Sequence, residues 1–458
     1  MEFTGIKEYR YQKEHLNQVK HITINPNGPG VVRIHMVPPK LSFNKDVPYV
    51  LIINGQDILP LNLSWAILLS AFIDEMHRHE NREIADDEWA DIVSRTVAEV
   101  QKVYNNVPAE TLSGDLMRII ETLTDIARGK QPFEDIGVIS LSEYAKYMTA
   151  PHRMDLMISS MCKDSKWNCN QQCIHCYAAG EELAQVKELT TDEWKIIIDK
   201  CRNANIPQLT FTGGEPTLRA DLVELIDYAK WFITRLNTNG VLLTKALCEE
   251  LNQASLDSVQ ITLYSADERA HNYLVGENNW DKTVEGIQNA LSAGLNVSVN
   301  TPLCSINSNY LETVKFIHSL GVRYVSCSSL IVTGNARTVR SVITQIYERE
   351  LSYRLKSAFD FCKANGMEIS FTSPGWVSED TLRQIGFTSI PACGACLSNM
   401  AVAPDGSVLP CQSWLTDGNL GNMLTDDWKE IWNGKKCAEI RKVSAKMEQK
   451  CQLMGDGR

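Results

Sequence analysis

Three thiols stand close together at Cys169, Cys173 and Cys176, in the stretch CNQQCIHCYAAG, and the aromatic Tyr177 follows the last of them directly. Thiols at this density are metal or cluster ligands, because a thiolate is a soft anionic donor. A C-x3-C-x2-C set surrounds one face of a cubane iron–sulfur cluster and leaves one iron without a protein ligand, open to a small molecule. Zinc fits less well: a structural zinc takes four closed ligands, commonly from two Cys-x2-4-Cys pairs. His175 lies too near its neighbours to complete such a tetrahedron. A second group follows at Cys393, Cys396 and, past Gly406, Cys411, with Cys437 and Cys451 trailing. The turn-forming PDG that ends at Gly406 sets a hairpin inside this group. All-thiolate zinc and iron–sulfur sites share their ligand chemistry, so a zinc ribbon stays open here beside a cluster.

Fourteen cysteines in 458 residues, with no apolar export segment at the start, point to ligation in a reducing compartment rather than to disulfides. Cys201, Cys248, Cys304, Cys327 and Cys362 are scattered and read as small buried residues. Lys and Arg total 45 against 56 for Asp and Glu, and the net charge of −11 argues against a nucleic-acid partner. The longest apolar run, WAILLSAFI from Trp65, is too short to span a bilayer. The expectation is a cytoplasmic protein with no membrane partner.

The elements that must position the thiols fall into three regions. Residues 1–150 read as a small α+β domain, with strands at VVRIHMV and PYVLIIN followed by three helices. The second helix carries Trp89, Ile92, Val93, Val97, Val100 and Tyr104 on one face. The third carries Leu112, Leu116, Ile119, Leu123 and Ile126, and Gly129 closes it. Residues 151–345 alternate short apolar strands with amphipathic helices, the pattern of βα units around a parallel sheet. The strands are MDLMISSM, QLTFTG, TRLNTNG, SVQITLYS, NVSVNTPL and YVSCSSLI. Six are too few for a closed eight-stranded barrel, so the fold class is α/β with an open, partial (β/α)6 barrel. The thiols follow the first strand, and active sites of such folds collect at the carboxyl ends of strands. Residues 346–458 begin with a long helix and become Cys-, Gly- and Pro-punctuated, the composition of a small domain built around a ligand.

Cys169, Cys173 and Cys176 followed by Tyr177 resemble the cluster loop of the radical S-adenosylmethionine (SAM) superfamily. The rest of that family's pattern is similar to segments found here in order: GGEP (Gly213 to Pro216) after the second strand, NTNG (Asn237 to Gly240) after the third, Ser265 after the fourth and Asn300 on the fifth. The resemblance implies a [4Fe-4S] cluster on the three cysteines, with its free iron chelated by the amino and carboxylate groups of SAM. It implies SAM contacts from Tyr177, Gly213, Gly214, Glu215, Pro216, Asn239, Ser265 and Asn300. Glycines there permit close backbone approach, and the Glu215 carboxylate balances the SAM ammonium. One departure is CKDSKWN, from Cys162, between the first strand and the loop. Cys162 reads as a nearby thiol, since a fourth ligand would block SAM.

The second cysteine group resembles the SPASM and twitch extensions of radical SAM enzymes. That implies one auxiliary iron–sulfur cluster on Cys393, Cys396 and Cys411, with Cys451 or substrate as fourth ligand. Residues 1–150 resemble the winged-helix-like element with which peptide-maturing enzymes hold the leader of a ribosomally made precursor by β-strand addition. The resemblance therefore implies an enzyme that forms a 5′-deoxyadenosyl radical, abstracts hydrogen from a precursor peptide with a leader, and makes a thioether or C–C crosslink. A flavodoxin- or ferredoxin-type reductant is its implied partner, in an anaerobic or microaerobic host. The competing readings are a small-molecule enzyme akin to the molybdopterin-precursor cyclase and a non-enzymatic iron–sulfur redox protein.

Overall fold

A computed structural model describes residues 4–24, 32–43, 47–55, 57–79, 84–127, 130, 139–163, 166–339, 346–446 and 450–454. The chain divides into two units, one of residues 1–150 with 202–207 and one of residues 151–201 with 208–458.

The first unit opens with α1 (Thr4–His15) and an antiparallel sheet of β1 (Lys20–Ile24), β2 (Val32–Val37), β3 (Tyr49–Ile53) and β4 (Asp57–Leu61), in that spatial order. Three helices follow: α2 (Leu63–His77), α3 (Asp86–Gln101) and α4 (Ala109–Ala127), then a single turn, α5 (Leu141–Tyr144). The Asn62 side chain caps α2 by accepting from the Trp65 amide, and the long apolar run lies buried within this helix. Leu51 and Ile53 of β3, Ile67 of α2, Ile92 and Val100 of α3 and Leu116 and Ile119 of α4 share one core. Gly129, expected to close α4, lies outside the described residues. The sequence reading missed α1, β1 and β4. α1 buries only Glu8, Tyr11 and Gln12, so it shows no apolar stripe, and Pro60 in β4 masks a strand that is tolerated because it is an edge.

The second unit begins with β5 (Arg153–Ser159), a small hairpin of β6 (Cys162–Lys163) and β7 (Lys166–Trp167), and α6 (Thr191–Asn203). The βα units continue as β8 (Gln208–Gly213), α7 (Leu222–Tyr228), β9 (Ile233–Thr238), α8 (Lys245–Gln253) and β10 (Ser258–Thr262). Next come α9 (Glu268–Val275), α10 (Trp280–Ser292), β11 (Val297–Leu303), α11 (Tyr310–Ser319) and β12 (Tyr324–Ser329). The chain then forms α12 (Ala336–Val339), α13 (Glu348–Ala364), β13 (Glu368–Phe371) and α14 (Glu379–Ile385). It ends with the hairpin β14 (Asn399–Val402) and β15 (Val408–Leu409), then α15 (Trp428–Asn433) and α16 (Lys435–Lys446).

The six expected strands pair in parallel as β5-β8-β9-β10-β11-β12. Two additions widen the sheet to nine strands. β13 joins beyond β12, and β14 pairs in parallel with β5, so the hairpin among the later cysteines is part of the barrel sheet. The two faces differ sharply. Leu156, Phe211, Leu236, Val259 and Val297 stand in register on one face, all nearly inaccessible. On the other face Asp155, Thr210, Arg235 and Ser258 form one row, and Thr262, Asn300 and Ser326 another. A closed barrel fills its interior with branched apolar side chains. This open sheet instead keeps a polar inner face, suited to a ligand.

Candidate functional site

The β6–β7 hairpin accounts for the extra residues before the thiol loop, and the Trp167 indole donates to the Gln171 carbonyl at 2.8 Å. The loop is fastened to the end of α9, where the Gln172 and Ile174 amides donate to the Val275 and Leu274 carbonyls at 2.9 and 3.1 Å. At Gly276 the backbone has φ 70°, and a Cβ would fall 2.5 Å from the Gln172 oxygen, so only glycine allows this approach. On the other side the Asn335 amide donates to the Cys176 carbonyl at 2.9 Å. The loop is therefore held at three points before any ligand binds.

The donor set fits a cluster. Burial, aided by the charge of Glu215 and Cys176, pushes the Cys169 thiol up to about 12. Burial and then the neighbouring sulfurs Cys176 and Cys169 push Cys173 well above its ordinary value, and burial raises Cys176. Main-chain amides face the sulfurs, from Gln171 and Asn170 toward Cys169 and from Ala178 and Ala179 toward Cys176. Such donors favour anionic sulfur, and iron supplies the positive charge that the surrounding side chains do not. Among the described residues no three ligating groups are gathered around a single metal ion. A cluster takes its thiolates on separate irons, so its ligands stand further apart than those of one ion. His175 is buried, edge-on to Tyr264 at 4.8 Å, and burial lowers it to about 4, so it stays a neutral ring.

The GGEP and NTNG segments meet at this loop. The Cys169 sulfur lies 3.5 Å from the Gly214 carbonyl, and the Asn239 amide side chain donates to Asn170 Oδ1 at 2.6 Å. At Gly213 φ is 140°, and a Cβ would strike the Ser159 carbonyl at 2.4 Å. Pro216 begins a single 3-10 turn capped by Glu215. Glu215 is 2% exposed, and its Oε1 accepts from the Thr217 amide at 3.0 Å, the Thr217 hydroxyl at 2.5 Å and the Thr238 hydroxyl at 2.6 Å. Its Oε2 accepts from the Asn239 amide at 2.9 Å, which leaves that oxygen spare capacity for a cationic group. Glu215 thus first locks the carboxyl ends of β8 and β9 together, a role its position in the sequence did not reveal. Glu215→Ala should strand several buried donors and raise the KM for SAM by about tenfold or more, read as 5′-deoxyadenosine formation against SAM concentration.

Ser265 and Asn300 stand apart from these contacts. Ser265 Oγ accepts from the Asp267 amide at 3.0 Å, and Asn300 Oδ1 accepts from the Ser326 hydroxyl at 2.9 Å. Neither bond reaches the loop. Tyr177 does link two regions: burial and then the charges of Cys176, Asp155 and Cys411 raise its hydroxyl above the usual range.

The later cysteines converge, and one more joins them than the sequence reading used. Burial raises Cys411 to about 12, with Cys451, Cys393 and Asp155 adding negative charge. Cys396 is held protonated chiefly by the hydrogen bond it gives Cys437, whose own thiol is lowered by that bond. Cys437 is 1% exposed on α16, and Arg441 of the same helix lies 3.5 Å from its sulfur. The Ser444 hydroxyl and the Gln452 amide approach Cys393 at 3.8 and 3.9 Å. Cys437 was counted with the later cysteines but left out of the ligand set; its signal was burial, which sequence alone does not display. Cys162 lies in β6 of the hairpin that precedes the loop. No disulfide joins any of the fourteen cysteines.

Comparison with known proteins matches the segments that carry both cysteine groups. Residues 168–319 match the radical SAM superfamily model, and residues 393–453 match SPASM, an iron–sulfur cluster-binding domain. The second match covers all five later cysteines and decides for iron–sulfur over a zinc ribbon. The chain is 30% identical to the Fe-coproporphyrin III synthase of Methanosarcina barkeri, over 40% of this chain and 48% of that protein. It is 27% identical to the AdoMet-dependent heme synthase of Oleidesulfovibrio alaskensis, over 64% and 80%. It is 36% identical to a probable GTP 3',8-cyclase of Methanopyrus kandleri, over 33% and 48%. The chain thus spans about half the length of the first and third of these relatives. Among solved structures, Streptococcus suis SuiB bound to precursor peptide SuiA has the same fold at TM-score 0.58 and 13% identity, covering 86% of this chain and 87% of that one. The structure of anSMEcpe with bound AdoMet aligns at TM-score 0.51 and 18% identity, over 64% and 84%.

Proposed function

For this chain, a radical SAM enzyme with a SPASM domain, we propose that the substrate is a ribosomally made precursor peptide, bound through its leader by the N-terminal unit and oxidatively crosslinked through a thioether or C–C bond. When bound, the loop cluster and SAM supply the hydrogen-abstracting 5′-deoxyadenosyl radical, and the auxiliary cluster takes up the electron that bond formation leaves. Cys169, Cys173 and Cys176 would hold the first cluster, and Cys393, Cys396 and Cys411, with Cys437 or Cys451, the second. Glu215, the Gly214 backbone and Asn239 orient SAM beside the loop. A flavodoxin- or ferredoxin-type protein supplies the reducing electron.

The observation that carries the peptide reading is the sheet edge of the N-terminal unit. Arg33 of β2 spends both main-chain groups on the β3 side, its amide on Asn54 Oδ1 at 2.8 Å and its carbonyl on the Asn54 amide at 2.9 Å. Its partner Thr23 on β1 is then a non-hydrogen-bonded pair, and the Thr23 amide and carbonyl face the edge that no strand covers among the described residues. His77 accounts for the His21 carbonyl on that edge, at 2.7 Å, and the opposite edge strand is weakened as a donor by Pro60. An extended leader therefore adds at Thr23. Thr23→Pro keeps the β1–β2 ladder and removes the outward donor. It should weaken binding of a labelled precursor encoded beside the gene by about fivefold or more, measured by fluorescence anisotropy with the full chain. Unchanged affinity would remove strand addition from the account.

The relatives named heme synthase and GTP cyclase favour a second reading, a small-molecule substrate. Binding of a tetrapyrrole or a nucleotide with no binding of any precursor peptide would select it.

A further inference from the structure

The polar face of the barrel sheet carries charges that its own contacts leave unfinished. Asp155, Thr210, Arg235 and Ser258 are register partners on four adjacent strands, so their side chains share one face. Asp155 is 1% exposed, and among the described residues neither of its carboxylate oxygens has a hydrogen-bond partner. Arg153 Nε stands 2.9 Å from Asp155 Oδ1 as an ion pair, but without hydrogen-bond alignment. The hydroxyl of Thr210, equally buried, likewise has no partner among the described residues. Among the described residues Arg235 makes one long hydrogen bond, from Nε to the Ser258 hydroxyl at 3.4 Å, out of the five donors of a guanidinium. Burial, and then the charge of Arg153, hold its guanidinium below the ordinary arginine range, with Asp155 opposing. Buried polar groups are normally satisfied, and a row with this many open valences is built for something that completes it.

We infer that this row is a substrate subsite that takes a carboxylate on Arg235, with an N–H donor of the same ligand on Asp155. Two guanidiniums against one carboxylate leave a single positive charge, which a carboxylate matches. A doubly charged phosphate would face Asp155 across about two strand spacings of roughly 4.8 Å each. The planar fork of arginine takes a carboxylate through two parallel hydrogen bonds. The place also suits a reacting group, because Asp155 lies on β5, the strand that leads toward the first cysteine loop, and is the register partner of Ala401 on β14, between Cys396 and Cys411 of the second cysteine group. On the peptide reading above, the ligand is a glutamate or aspartate of the precursor, whose own amide supplies the N–H. A carboxylate-bearing small molecule presents the same chemistry.

The test uses anaerobically reconstituted full-length protein with SAM and the arginine reagent phenylglyoxal, with labelling of Arg235 mapped by mass spectrometry. Saturating acetyl-glutamate N-methylamide should slow labelling of Arg235 by about tenfold, and acetyl-glutamine N-methylamide should not. Calorimetry reads the same site independently: the affinity for the glutamate probe should fall by about tenfold in Arg235→Gln and recover in part in Arg235→Lys. Protection by coproporphyrin III and not by the glutamate probe would keep the carboxylate subsite and overturn the peptide source. Equal protection by the glutamine probe, stronger protection by inorganic phosphate, or none by any carboxylate would overturn the subsite itself. That last outcome leaves the peptide reading to stand or fall on the mass of a treated precursor.

Discussion

Cys173→Ala should abolish 5′-deoxyadenosine formation from SAM. Cys173 is the middle thiol of the loop, and burial and then the charge of both neighbouring sulfurs raise it well above its ordinary value. That electrostatic coupling means the three sulfurs cannot be carried as anions by the protein alone. Their tolerance in one place depends on iron, and iron held by two thiolates has lost the ligand set that leaves a single open position. The loop itself should survive the change, because its fastenings run through the main chain of Gln172, Ile174 and Cys176. The variant should therefore fold, lose the iron of one cluster and show no 5′-deoxyadenosine above background in a reduced anaerobic assay. Retained cleavage would remove the cluster from this loop.

Cys411→Ala should separate the two halves of the reaction. Cys411 is grouped electrostatically with Cys451 and Cys393. Its loss should leave 5′-deoxyadenosine formation within a few-fold of the parent, while product formation falls by about a hundredfold or more, since an electron left on the substrate radical has no acceptor. The contrast is sharpened by position, because Cys411 follows the β14–β15 hairpin that adds to β5. A structural collapse at Cys411 would pass directly into the barrel and reduce both activities together. Equal loss of both would thus assign the region a scaffolding role. Iron content and thermal unfolding of the same variant distinguish the two outcomes.

The sequence was most legible where a local rule operates. The strands β8, β9, β10, β11 and β12 are short runs, β8 and β9 ended by Gly and Asn, and their order placed GGEP and NTNG at strand ends without coordinates. The thiol loop was legible from spacing alone. Pairings between distant segments were not, and β14 against β5 joins Ala401 to Asp155 with no local pattern to announce it. Asp155 was hidden because a lone acid in MDLMISSM interrupts an otherwise apolar strand. Its meaning appears only when Thr210 and Arg235 stand beside it. The alternation in TRLNTNG and SVQITLYS did carry the signal of a polar inner face. Glu215 was read as a SAM contact, yet four internal hydrogen bonds give it a structural role that motif spacing cannot encode. The extra helix α1 had no apolar stripe, and so no sequence signal at all.

The most direct measurement combines anaerobically reconstituted full-length protein, SAM, a strong reductant and the short peptides encoded beside the gene, with mass spectrometry of both products. The account predicts 5′-deoxyadenosine together with a peptide lighter by one pair of hydrogen atoms, and neither product from Cys173→Ala. Formation of 5′-deoxyadenosine with every peptide unchanged in mass would contradict the crosslinking maturase.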